Sequence, residues 1–106
     1  MKIYDYCVVV TTVDSMEKAE KLASVIIEAK LGACVQISRT TSFYFWDDKV
    51  NNDLECKLEI KTKSCLYEKL EELIIKNHSY QTPEIIQIPL MNGSTAYLNW
   101  IQENCQ

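Results

Sequence analysis

The amino-acid sequence predicts an α+β sandwich, in which two helices pack on one face of a four-stranded antiparallel sheet. Three observations lead there. Residues 54–63, LECKLEIKTK, alternate apolar and charged side chains without a fault, the pattern of a strand with one covered and one open face. Two stretches with helical periodicity, starting near Asp14 and Ser64, each carry a single apolar stripe. Glycine and proline number only two each in 106 residues, so most of the chain belongs to regular elements.

The elements follow in order. CVVVTT, residues 7–12, is a buried strand: three consecutive valines with a β-branched exit. DSMEKAEKLASVIIEAKLG is a helix, with Asp14 as N-cap and Glu17 three residues on in the manner of a capping box. Ala19, Leu22, Ala23, Ile26 and Ala29 form its apolar face, and Gly32 is the expected left-handed residue that ends it. ACVQISRTTSFYFW is a second strand that turns aromatic at its end. The polar stretch DDKVNND connects it to the third, LECKLEIKTK, which sends Leu54, Cys56, Leu58, Ile60 and Thr62 to the core.

Ser64 caps a second helix that runs to about Asn77, with Leu66, Leu70, Leu73 and Ile74 buried. Pro83 holds Thr82 in an extended conformation, so that helix ends before it. EIIQIPL is the fourth strand, and Pro89 places its end at a sheet edge or bulge. Gly93 and Ser94 then start a short helix carrying Tyr97, Leu98 and Ile101. The first six elements of this β-α-β-β-α-β-α order are the split βαβ, or ferredoxin-like, arrangement. Its strand order is 4-1-3-2, with strands 1 and 4 antiparallel, which brings Thr11 and Thr12 close to Glu84. Residues 1–106 make a single domain of ordinary size.

Composition excludes several classes of function. The net charge is −4 and Arg39 is the only arginine, so the clustered cations that release counterions from nucleic acid are missing. No stretch approaches the ~20 apolar residues of a membrane span, and the first twelve residues lack a signal-peptide h-region. The five cysteines form no C-x-x-C pair, and their odd number suits reduced thiols; the expected location is cytoplasmic. No glycine-rich phosphate loop is present, and one histidine with no nucleophile motif argues against an enzyme.

Strands 2 and 3 exceed the usual five or six residues, so their hairpin projects beyond the sheet. Near its tip Phe43, Tyr44, Phe45 and Trp46 stand side by side, and strand alternation points at least one pair away from the subunit's own core. Aromatics displayed beside strand edges mark an association surface. The simpler alternative is that the terminal helix covers them.

The segments GACVQI, SFYFWDDKV, LEIKTKS, NHSYQTPEIIQIPL and NGSTAYLNWI, in register from about Cys7 to Ile101, resemble the CutA divalent-cation tolerance family. The resemblance implies a ferredoxin-like subunit with a long β2–β3 hairpin and an extra C-terminal helix, assembled as a homotrimer through the hairpins. It also implies a role in tolerance of copper and other divalent cations, which are bound weakly and are not required for folding. Related trimers bind small ligands as signalling proteins, so a sensor that takes a metabolite or nucleotide at subunit interfaces is the alternative function. Three departures from the family pattern stand out: Asp48 where glycine is common, Ser79 where the family reads His-Pro-Tyr, and Thr11 and Thr12 where some members carry a cysteine.

The candidate site residues lie in and around HSYQTPEI. His78, the only histidine, and Glu84 are the candidate metal ligands, since imidazole suits copper or zinc. Two ligands make no tight centre, and Glu55, Glu59, Asp47 or Asp48 of a neighbouring subunit are the possible additional donors. The ordinary alternative puts His78 at a helix C-terminus, its ring bonded to the last carbonyls. Tyr80 packs on Pro83 in that alternative, and Glu84 pairs with Lys49 or Lys61. Lys49, Lys61 and Tyr80 are in turn the candidate contacts for a ligand in an interface cleft.

Overall fold

The computed structural model describes residues 4–106. Strands β1 (Tyr6–Val13), β2 (Cys34–Trp46), β3 (Lys49–Lys63) and β4 (Ile85–Pro89) form one antiparallel sheet in the order β2-β3-β1-β4, as the split βαβ arrangement requires. Helices α1 (Met16–Glu28) and α2 (Tyr67–Lys76) cover one face, and a 3-10 turn at Ser64–Leu66 leads into α2. Ala19, Leu22 and Ile26 of α1 and Leu70 and Ile74 of α2 close over Cys7, Val9, Cys56, Leu58 and Ile60 of the sheet. Helix α3 (Thr95–Glu103) lies against β3 with Ile101 fully buried.

Several local expectations change. Ser15, not Asp14, is the N-cap of α1: its backbone is extended and its side chain accepts from the Lys18 amide. Asp14 instead pairs with the Lys18 ammonium at 3.0 Å. The left-handed residue that closes the helix is Lys30, whose φ is 57°, and not Gly32. The Lys30 amide bonds the Ile27 carbonyl and the Leu31 amide bonds that of Ile26, the two bonds of a Schellman motif. Gly32 serves packing: a Cβ there would lie 2.7 Å from Ile60 Cγ2 and 2.9 Å from Ile26 Cγ2.

The connection between β2 and β3 is also shorter than expected. Trp46 pairs with Lys49, leaving only Asp47 and Asp48 in the turn, with φ of 56° and 59°. Two positive φ values are what a two-residue type I′ hairpin needs, so Asp48 takes the conformation a glycine would take more cheaply. Asn51 donates its side-chain amide to the carbonyls of Trp46 and Lys49, each at 3.0 Å, and braces the turn.

The hairpin carries β2 and β3 well past the end of β1, which stops opposite Cys56 at Val13. Beyond that point the large apolar side chains of the hairpin are exposed. Phe43 and Phe45 are 69% and 70% exposed, and Tyr44 and Trp46 are exposed as well. Leu54, expected in the core, is 80% exposed, whereas Leu58 on the same face is completely buried. The alternation at 54–63 is real, but its first apolar position lies outside the reach of α1 and α2.

Candidate functional site

The HSYQTPEI segment leaves α2 at Asn77 and crosses the exit of β1. Sequence alone placed Thr12 near this turn through strand 4, and pairing of Thr11 with Ile85 delivers that proximity. His78 Nε2 lies 2.7 Å from the Thr12 carbonyl oxygen, and His78 Nδ1 accepts from the Tyr80 amide at 3.1 Å. A carbonyl can only accept, so the ring's proton sits on Nε2 and its lone pair on Nδ1. Both ring nitrogens are therefore engaged. The bond to β1 replaces the expected one to the last carbonyls of α2, where Asn77 instead donates to Leu73 at 2.8 Å.

Tyr80 extends this arrangement. Its ring stands 4.7 Å from that of His78, tilted by 60°. The Tyr80 hydroxyl donates to Glu55 Oε2 at 2.8 Å, tying the turn to the projecting part of β3. Burial, then the Glu55 carboxylate beside it, and lastly Asp14 and Asp53, push the phenol well above its ordinary range. The Lys18 ammonium donates to Ser79 Oγ at 3.3 Å as well as to Asp14. A polar tether from α1 thus holds the position where the family pattern has proline.

These groups rim a cleft of about 880 Å³ between the turn and the inner side of the hairpin. Asp14, Asp53, Glu55 and Glu84 contribute carboxylates, and Phe43, Tyr44, Trp46 and Tyr80 contribute rings; among the described residues no lysine, arginine or histidine lines it. Tyr44 donates its hydroxyl to Asp53 across the hairpin. Glu84 is exposed and takes part in no ion pair among the described residues. The expected pairing with Lys49 or Lys61 is not made: Lys61 donates to Gln36 on the sheet, and Lys49 is exposed where β3 begins. Neither lysine reaches the cleft.

Of the sequence candidates, Glu84 and Tyr80 come together in the cleft with three of the four tip aromatics, Phe43, Tyr44 and Trp46, while Phe45 stays outside it. Asp14 and Asp53 are cleft residues that sequence reasoning missed as a site. Asp14 carried a capping signal, which masked its other use, and Asp53 lay in what was read as a connection. Among the described residues no three His, Cys, Asp or Glu side chains converge on a point where they could hold a metal ion.

A ferredoxin-like domain with a projecting, aromatic hairpin and a carboxylate-lined cleft at its root is the class this geometry defines. Residues 7–104 match the family described as CutA1 divalent ion tolerance protein. The chain belongs to that family. It is 43% identical over 98 residues to Protein CutA, chloroplastic, of Arabidopsis thaliana, covering 92% of this chain but 54% of that protein. The chain thus spans about half the length of that plant relative. It is 40% identical over 98 residues to the divalent-cation tolerance protein CutA of Thermus thermophilus, covering 92% of this chain and 95% of that one. The crystal structure of CutA1 from Oryza sativa superposes with a TM-score of 0.94 at 38% identity, covering 97% of this chain and 95% of the other. These names denote tolerance of divalent cations and specify no catalytic activity.

Proposed function

We propose that this chain is a homotrimeric divalent-cation tolerance protein that binds cations such as copper weakly. The observation that carries the cation reading is the cleft: four carboxylates line it, of which Asp14 is paired with Lys18, and among the described residues no cationic side chain does. Glu84, which lines the cleft and has no ion pair among the described residues, is the first ligand, and His78, which lies outside the lining and must turn toward it, is the second. To ligate, His78 must release the Thr12 carbonyl or the Tyr80 amide, at about 1 kcal/mol for a hydrogen bond. That cost, together with the short ligand set, keeps binding weak. The trimer reading rests on the uncovered tip, where Phe43, Tyr44, Phe45 and Trp46 are all exposed in the single subunit. Free thiols at all five cysteines support a reducing, cytoplasmic setting.

Calorimetric titration with Cu²⁺ and Zn²⁺ tests the proposal. His78→Ala and Glu84→Ala should each weaken copper binding while sedimentation shows unchanged assembly. Parent-like binding in both variants would remove these residues from the ligand set.

The cleft volume also favours a second reading, since small-molecule sites occupy roughly 300–1,000 Å³ and are rich in aromatics. In it the trimer is a sensor for a metabolite or nucleotide, with Tyr80 inside the cleft and Lys49 and Lys61 supplied across an interface. A thermal-shift screen should then find a stabilising ligand whose effect is lost in Tyr80→Phe and in lysine-to-alanine variants.

A further inference from the structure

The end of the sheet opposite the cleft holds a group of thiols that cation tolerance does not use. Cys7 is the second residue of β1 and completely buried; Thr62 of β3 sits directly across from it. Side chains facing each other in an antiparallel pair have Cβ atoms about 5 Å apart and point to the same side. The Thr62 hydroxyl is in turn 3.7 Å from Cys105 Sγ and donates to the Leu31 carbonyl at 2.8 Å. Cys105 belongs to the tail after α3 and packs against the core cluster that contains Cys7. Two bonds dock that tail: the Gln106 amide donates to the Lys30 carbonyl and the Gln106 side chain to that of Ala29, each at 2.9 Å.

We propose that Cys7 and Cys105 are a redox pair, joined reversibly by a hydroperoxide into a disulfide that fastens the C-terminal tail to the first strand. The two thiols share one neighbour, Thr62, on one face of the sheet. Only one of them sits in a regular element. The segment carrying Cys105 belongs to no helix or strand and is held by hydrogen bonds, so it can move toward Cys7 without displacing a strand. Burial pushes the Cys7 thiol up, which leaves it the poorer nucleophile toward the oxidant. Cys105, half-buried, meets the oxidant.

The steps balance as follows. The Cys105 thiolate attacks the distal oxygen of the peroxide, the O–O bond breaks, and a sulfenic acid forms with release of water or the corresponding alcohol. Cys7 sulfur then attacks Cys105 sulfur. The S–O bond breaks, hydroxide leaves with the Cys7 proton as water, and the S–S bond holds the two electrons' worth of oxidation. A dithiol reductant reverses the change.

The test treats the full chain with hydrogen peroxide, blocks remaining thiols under denaturing conditions and maps peptides by mass spectrometry. The expected result is a Cys7–Cys105 cross-linked peptide, an intact mass lower by two hydrogens before blocking, and a melting temperature raised by several degrees that dithiothreitol restores. The ring would enclose almost the whole chain, the case in which cross-linking restricts the unfolded state most. Cys105→Ser should abolish all three effects, and Cys65→Ser should abolish none. Because Cys7→Ser changes a fully buried position, Cys105→Ser is the decisive variant and Cys7→Ala the second. The proposal is overturned by oxygen addition without cross-linking, by a link through Cys65, or by a bond between chains.

Discussion

The two halves of the β2–β3 hairpin share strands, register and alternation, yet they behave as different materials. In the half above the sheet, Cys56, Leu58 and Ile60 are buried beneath α1 and α2. In the half beyond β1, Leu54, Val50, Phe45 and Phe43 occupy the same kind of position and are largely exposed. Backbone pairing continues unbroken through both. The difference shows that sheet pairing and core formation are separable. Hydrogen bonds carry the ribbon outward, and apolar burial stops where the helices stop.

The sharpest way to break this comparison uses two leucines four residues apart on one face. Leu58→Ala should lower stability by about 2–5 kcal/mol, since it empties a filled core site. The loss should be the same at any protein concentration in chemical denaturation of the dissociated subunit. Leu54→Ala should change the subunit's own stability by less than about 0.5 kcal/mol. In the proposed trimer its effect should appear as a concentration-dependent melting temperature and as dissociation in sedimentation velocity. Equal, concentration-independent losses at both sites would show that the distal half is buried within one chain.

Smaller effects sharpen the core half. Gly32→Ala should cost about 1–3 kcal/mol, because a methyl cannot fit between Ile26 and Ile60 without displacing one of them. Thr11→Val should raise stability by about 1 kcal/mol in urea unfolding: Thr11 Oγ1 is buried with no hydrogen-bond partner, and valine has the same shape. Lys30→Gly should add a few tenths to about 1 kcal/mol by relieving the left-handed residue that closes α1, read as a higher melting temperature.

At the root of the hairpin the comparison becomes pH-dependent. The Tyr80 phenol is raised in the folded state, so its contribution to stability is complete below the unfolded value near 10 and declines as pH rises above it. Tyr80→Phe should flatten the alkaline limb of a stability-versus-pH profile measured from about pH 9 to 11.

How much of this was legible in the sequence depends on the range of the physics involved. The long strand at 54–63 announced itself because a one-sided sheet imposes period two on its residues. The helical stripes of α1 and α2 did likewise at period 3.6. Errors fell at the helix ends and turns. Ser15 and Asp14 are both good caps, and only the backbone decides between neighbours. Lys30 in a left-handed conformation runs against residue preference, and glycine two residues later drew the assignment away from it.

The candidate site divides in the same way. His78, Tyr80 and Glu84 were identifiable by residue type and by the family pattern around Pro83. The partner of His78 was not, because it is a backbone carbonyl 66 residues away, and any residue at position 12 would offer the same group. Asp14 and Asp53 joined the cleft only once α1 and the hairpin were set on either side of it.

By itself, then, the sequence determined the element order and the apolar face of each element, which follow from local periodicity and residue type, while its in-register motifs carried the resemblance to the family. Tertiary structure alone decided where the core ends along β3, which hydrogen bonds occupy the His78 ring, and which carboxylates share the cleft. Those outcomes depend on distances between segments far apart in the chain, and such distances arise only when hydrophobic burial and strand pairing bring the segments together.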